Sequence, residues 1–191
     1  IGLVGSEMCI RDRYMAIFAF SNILWLFGIN GSSIIFPIVF TLGLTNSGLN
    51  AELVNAGQSA SHIMNLQMYR YAVLGGGGNT LGLVLLMCFS HVKHLRSIGR
   101  LSVVPGICGI NEPVIFGMPI ILNPVMAIPF LLVPQITAII TYFAMNLGLV
   151  SLPRIALGAT GTPLILDGWM IAGLSGIILE VILIALTAII Y

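Results

Sequence analysis

The residues with the clearest chemical potential are Asn111 and Glu112, side by side in Pro105 to Pro124, PGICGINEPVIFGMPIILNP, where their neighbours are apolar or helix-breaking. An ionisable group inside a membrane costs several kcal/mol unless it faces a wet cavity or a partner, so an acid in such a setting marks a functional site by default. The competing reading is an acid that takes a backbone N–H and only holds its own segment together. Pro113 weakens that reading, because proline removes a donor that could have satisfied the carboxylate locally.

The element that must carry this pair is not a continuous helix. Four prolines (Pro105, Pro113, Pro119, Pro124) and three glycines (Gly106, Gly109, Gly117) fall within twenty residues, and each interior proline costs a helical hydrogen bond. A broken or re-entrant segment is expected. Freed N–H and C=O groups survive at membrane depth only where protein or a water-filled cavity satisfies them, so irregular backbone beside a buried acid points to a polar substrate site.

Three other stretches have the same character. In Tyr14 to Leu44 a long apolar run is interrupted by FGINGSS (Phe27 to Ser33) and Pro37; a spanning helix with a polar break at Asn30 is expected, and Gly28 and Gly31 would let a ligand approach backbone. A helix that ends and restarts at the interface is the alternative. Gly75 to Thr80, GGGGNT, precedes an apolar run too short to span alone. No Gly-Lys-Ser/Thr follows and no GxGxxG can be placed on it, so it is not a phosphate loop. It suggests a second broken hairpin, with Gly76 and Gly77 as candidate ligand contacts, or else a flexible hinge. GATGTP (Gly158 to Pro163) is a further broken stretch that offers Thr162. Glu180 lies midway along an apolar helix and should face protein or water, in a packed hydrogen-bonding role rather than a catalytic one. Thr45 to Gln67 is the most polar stretch and reads as a loop or interfacial helix, with Glu52 and His62 assigned no chemistry.

Composition decides the class. Only 7% of the 191 residues are charged and 58% are hydrophobic, with mean hydropathy +1.09, whereas soluble domains carry roughly a quarter charged residues. The chain is read as an all-α integral membrane protein with room for about four to six passages or hairpins. Cys9, Cys88 and Cys108 lack metal-type spacing, and His62, His91 and His94 are not grouped with them, so no metal site or disulfide framework is indicated. Nothing in the charge pattern supports nucleic-acid binding.

His91 to Arg100, HVKHLRSIGR, holds three of the five Lys and Arg residues beyond residue 13, which places it on the cytoplasmic side by the positive-inside rule; binding of anionic lipid is the rival reading. Val125 to Val150 then spans outward, kinked by Pro129 and Pro134, and Ile171 to Tyr191 returns, so the C-terminus is expected to be cytoplasmic. Residues 1–13, IGLVGSEMCIRDR, carry four of the chain's thirteen charged residues. MCIRDR resembles the translation of a sequencing-library adapter end, so these residues are expected to be an assembly scar, with 14–191 the transport domain of a truncated permease.

RLSVVPGICGINEPVIFGMPIILNPVMAIPFLLVP (Arg100 to Pro134) strongly resembles the membrane permease (EIIC) component of the bacterial phosphoenolpyruvate-dependent sugar phosphotransferase system, in its lactose, cellobiose and diacetylchitobiose branch. LWLFGING (Leu24 to Gly31) and GGGGNTLGL (Gly75 to Leu83) resemble that family's other marks in the same order. The resemblance implies the C-terminal transport half of a multi-pass plasma-membrane protein that is a homodimer when intact. It also implies a sugar held at mid-membrane between two hairpins, carried across by rigid-body movement and phosphorylated by a phosphocysteine on a separate cytosolic EIIB partner. No phosphorylated residue and no cofactor is expected on this chain. Glu112 and Asn111 match the family's sugar-contacting acid and its neighbour. The family usually shows GIHG where this chain has Gly28-Ile29-Asn30-Gly31, and a Pro-Trp-Thr near Thr160 to Thr162 where this chain has no Trp. Asn30 can hydrogen-bond but cannot serve as cation or general base, and Trp169 is the candidate replacement platform.

Two readings stand beside sugar group translocation: an ion-coupled transporter in which Glu112 titrates, and a degenerate fragment that does not transport.

Overall fold

In the computed structural model, which describes residues 2–63, 65–152 and 162–191, every regular element is an α-helix. The first two are α1 (Gly2–Leu26) and α2 (Gly31–Asn55). The break expected at Asn30 is present, but it is a reversal between two helices rather than an interruption within one. Gly31 packs onto the Ser21 backbone, leaving no room for a side chain, and the Trp25 indole donates to Ser32 Oγ at 3.0 Å across the turn.

The polar stretch Thr45 to Gln67 departs from its sequence reading in its first half. α2 continues unbroken to Asn55, because Ser47 and Asn50 face inward and satisfy the non-helical segment that follows. Asn50 Oδ1 accepts from the backbone N–H groups of Ser61 and His62, and its Nδ2 donates to His62 O at 2.8 Å. Polarity here is a buried clasp. α3 (Leu66–Ala72) starts after it, capped by Asn65, whose side chain accepts from Met68 N.

The two expected broken hairpins form. α3 and α4 (Leu81–Cys88) are separated by the glycine run, and α5 (Lys93–Ile107) and α6 (Glu112–Gly117) by residues 108–111. Pro105 sits in the last turn of α5, while Pro113 and Pro124 occupy first-turn positions of α6 and α7, where their missing N–H groups cost nothing. α4 is wedged between α5 and α9 at two close approaches: Gly99 lies on Met87 and Cys88, and Gly82 on Thr187 and Ala188.

α7 (Pro124–Asn146) is the second helix after α2 that is long and apolar enough to cross a membrane. At about 1.5 Å per residue their 25 and 23 residues exceed the thickness of the hydrocarbon layer. Ile34, Ile38, Ile128, Leu132, Val181 and Ile182 point outward, a surface suited to lipid. α8 (Leu164–Ala172) and α9 (Leu174–Ile190) pack on each other and complete the core. The Tyr191 hydroxyl donates to Gly78 O at 2.6 Å, so the end of the chain lies beside the glycine run, one length of α4 away from the basic segment.

The apolar interior has two parts. One joins α1, α2, α3, α7, α8 and α9 around Tyr14, Tyr71, Leu74 and Leu183. The other, around Trp25, Val84, Ile115 and Phe130, backs the two hairpins.

Candidate functional site

Residues 73–80 make a loop that is fixed from several sides. Asn22 on α1 accepts from Gly78 N at 3.1 Å, Thr80 Oγ1 caps Gly75 O at 2.9 Å, and Asn79 donates to Thr137 on α7. Asn79 itself has φ of 53°. Such a conformation in a residue other than glycine needs surrounding contacts to hold it, and here they exist.

The second broken segment docks onto this loop. Asn111 Nδ2 donates to Gly77 O at 2.6 Å. Gly76 has φ of +95°, and a Cβ there would overlap the Asn111 side chain. The glycines therefore serve a close approach between the two hairpins rather than a hinge, and the N–H of Gly76 is engaged by Val73 O at 3.2 Å.

The α1–α2 turn closes the third side. Asn30 caps α2 by accepting from Ser33 N at 2.9 Å, and its Nδ2 donates to Glu112 Oε1 at 3.3 Å. Together these parts enclose a cavity of about 530 Å³, within the range of small-molecule sites. Trp25, Asn30, Ser32 and Ser33 line it from the α1–α2 turn, Phe36 from the next turn of α2, Tyr69 and Arg70 from α3, Gly76 and Gly77 from the loop, and Gly109, Asn111 and Glu112 from the second break. Glu112 is half-buried, as an acid open to a wet cavity should be.

Five of the six residues singled out from sequence thus share one cavity wall: Asn30, Gly76, Gly77, Asn111 and Glu112. Asn111 is 3% exposed and already committed to Gly77, so it shapes the wall more than it offers a free amide. Thr162 stands behind the cavity. Its carbonyl accepts from Arg70 Nη2 at 2.8 Å and its hydroxyl donates to Asp167 Oδ1 at 3.4 Å. Most of GATGTP and the Thr160 position lie outside the described residues. Trp169 is 58% exposed on α8 and absent from the wall, so the candidate platform is corrected: the aromatic surfaces at the cavity belong to Trp25, Phe36 and Tyr69.

Arg70 and Asp167 were missed by sequence reasoning. They form a buried ion pair across 97 residues of chain. Each is the lone charge of an apolar helix, Arg70 in LQMYRYA and Asp167 in LILDGWMIA, and the logic that singled out Glu112 applies equally to them.

Residues 10–134 match the family model described as phosphotransferase system, EIIC. This chain belongs to the EIIC family. The matched segment contains the Asn30 turn, the glycine loop and the Glu112 break. The EIIC chain is 37% identical over 174 residues to the putative permease IIC component YwbA of Bacillus subtilis, covering 88% of this chain and 39% of that relative. It is 34% identical over 172 residues to the oligo-beta-mannoside-specific EIIC component of the same organism, covering 88% and 38%. It is 39% identical over 144 residues to the lactose-specific EIICB component of Streptococcus mutans, covering 72% and 25%. Among solved structures it resembles ChbC, the IIC component from the N,N'-diacetylchitobiose-specific phosphotransferase system, with TM-score 0.88 and 37% identity over 95% of this chain and 43% of ChbC. The chain therefore spans about two fifths or less of the length of these relatives. Family membership agrees with the apolar composition and with a membrane location.

Proposed function

We propose that residues 14–191 carry the sugar-binding transport domain of a plasma-membrane permease that works by group translocation. The cavity takes a beta-linked disaccharide of the cellobiose, lactose or chitobiose type, and a cytosolic EIIB partner phosphorylates it. The observation that carries this reading is the meeting of Asn30 and Glu112 at a cavity whose wall is two interlocked broken hairpins. Half-buried carboxylate and amide groups beside Trp25, Phe36 and Tyr69 suit a polyhydroxylated ring with one polar edge and one apolar face. The names of the relatives, which include oligo-beta-mannoside, lactose and cellobiose components, support the substrate class.

On this reading His91 to Arg100 lies at the cytoplasmic face, exposed apolar side chains of α2, α7 and α9 meet lipid, and the intact protein is a homodimer. Uptake into vesicles tests it. Accumulation of sugar phosphate that requires phosphoenolpyruvate and the cytosolic components supports group translocation. Uptake abolished by a protonophore alone would replace it with ion coupling, and the absence of both would leave a fragment that does not transport.

A further inference from the structure

We propose that Ser32 and Phe36 on α2, with Tyr69 on α3, form a second sugar-ring subsite in the cavity, where Phe36 takes the apolar face of a pyranose ring and the Tyr69 hydroxyl donates to one of its oxygens. This rests on the sugar-binding reading above and extends it, giving the second ring of a disaccharide a place away from Glu112.

Three aromatic side chains line the cavity, and they are not equally open to it. Trp25 is 2% exposed and its indole is held between two partners: the N–H donates to Ser32 Oγ, and Gly77 comes so close that a Cβ there would sit 2.7 Å from Nε1. Tyr69 is buried, its ring packed against Phe18 and Phe36. Phe36 is the half-buried one of the three. Its ring centroid lies 6.4 Å from that of Tyr69, edge to face, and 5.5 Å from that of Phe40 one turn further along α2. Braced by two rings, Phe36 is a fixed apolar surface, and a surface already in place costs a ligand little ordering.

A polar edge lies beside it. Ser32 and Phe36 are four residues apart on α2 and share a helix face, and the Ser32 hydroxyl meets the phenol oxygen of Tyr69. An indole only donates, so Trp25 takes up an acceptor site on Ser32 and leaves the serine hydrogen for Tyr69. The row runs from Trp25 to Ser32 to Tyr69 and ends in a phenol hydrogen that has no acceptor among the described residues. The hydroxyls of Tyr14 and Tyr71 are sealed in the core, whereas Tyr69 reaches the cavity wall.

The spacing suits two rings. Asn30 and Glu112 meet at one place on the wall, and Phe36 is six residues beyond Asn30 on α2, about 9 Å at 1.5 Å per residue. A ring held by the carboxylate therefore leaves the next ring to lie against Phe36. The two places also differ in chemistry: Glu112, when ionised, accepts hydrogens from sugar hydroxyls, while Tyr69 gives one to a sugar oxygen.

The test is calorimetric binding to the purified full chain in detergent, with cellobiose, lactose and diacetylchitobiose as probes and thermal unfolding measured on every sample. If the parent binds none of the three, the sugar reading and this inference fall together. If Glu112→Gln weakens binding and Phe36→Leu does not, this inference falls alone. Phe36→Leu is expected to weaken the tightest sugar by about threefold to tenfold, the scale of an aromatic contact, and Phe36→Tyr, which keeps the ring, to bind nearly as the parent does. Phe40→Leu lies on the same helix but outside the cavity wall, so an equal loss there would reduce Phe36 to packing and overturn the platform. Tyr69→Phe keeps the packed ring and removes only the hydroxyl; it is expected to weaken binding by about threefold or more at an unchanged unfolding temperature, and parental affinity would overturn the donor role. Should Phe36→Leu fail to fold, Tyr69→Phe decides alone: folded protein with parental affinity overturns the inference, and folded protein with weakened affinity supports it.

Discussion

Asn30 and Glu112 are 82 residues apart in sequence and 3.3 Å apart in space, with the amide Nδ2 donating to Oε1. The same asparagine caps α2 through its Oδ1, so one side chain both starts a helix and orients the acid. Substitutions separate the two jobs. Asn30→Asp keeps a capping acceptor but sets a second carboxylate against Glu112, and should weaken sugar binding while leaving thermal stability near the parental value. Asn30→Leu removes both functions and should cost about 1 kcal/mol of stability through the cap together with about 1 to 3 kcal/mol of binding. Calorimetry and unfolding on the same samples check this; affinity unchanged from the parent in both variants would remove Asn30 from the site.

Glu112→Gln preserves shape and the hydrogen bond geometry available to Asn30 while removing the charge. Charge-assisted hydrogen bonds are roughly twice as strong as neutral ones, so binding should fall by about tenfold or more with normal membrane insertion. A folded Gln variant that binds as tightly as the parent would show that the acid only holds its hairpin in place.

Gly76 tests the docking of the two hairpins. Gly76→Ala must adopt φ of +95° and must also displace Asn111, whereas Gly148→Ala, at φ of +71°, meets nothing within 4 Å. Backbone strain alone costs on the order of 1 kcal/mol, so Gly148→Ala should lower stability by about that amount and leave binding intact. Gly76→Ala should lose binding as well, because the Asn111 contact to Gly77 O cannot form beside the new methyl group. Equal effects of the two variants would mean that the loop does not position the site.

What was legible in the sequence was the irregular backbone. Proline and glycine runs at Pro105 to Pro124 and Gly75 to Thr80, and the Asn30 interruption, were each visible as breaks because their local chemistry is incompatible with a continuous span. Their convergence on one cavity follows from tertiary packing that no local pattern encodes. Asn111 on Gly77 and Asn30 on Glu112 are contacts between segments separated by 34 and 82 residues. The helical course of α2 through Asn46 and Asn50 was hidden because polarity was read as solvent exposure, when Asn50 is 1% exposed and satisfied by backbone of the next segment. Arg70 and Asp167 were hidden for a different reason: each appears alone in its own helix, and only the fold shows that they neutralise one another.

The basic segment sets the orientation to be tested. Lys93, Arg96 and Arg100 lie on α5, whose far end at Ile107 leads directly into the cavity wall. A cysteine at Ser97, with Cys9, Cys88 and Cys108 replaced, should resist a membrane-impermeant thiol reagent in right-side-out vesicles and react once the membrane is permeabilised. Reaction from outside would invert the topology. A second cysteine added after Tyr191 shows independently which side the C-terminus occupies, since its contact with the glycine loop does not fix a side.

Two buried acids make the sharpest contrast for stability. Asp167 and Glu180 are each 1% exposed, yet Asp167 is paired with Arg70, while Glu180 has the Gly168 backbone beside its carboxylate and makes no well-formed hydrogen bond among the described residues. Glu180 Oε2 is pressed against α8 at Gly168, 2.6 Å from where a Cβ would sit, so the acid is packed rather than solvated. An unsatisfied buried polar group costs about 1 to 3 kcal/mol, and an apolar replacement of similar shape recovers it. Glu180→Leu should therefore leave the unfolding temperature unchanged or raise it. Asp167→Leu should lower it sharply, by the equivalent of about 3 to 5 kcal/mol, because it strands the Arg70 charge in the interior. The measurement is thermal unfolding of both variants in the same detergent. If Glu180→Leu destabilises as much as Asp167→Leu, then Glu180 is engaged by a group such as a bound water, and its oxygens are not orphans.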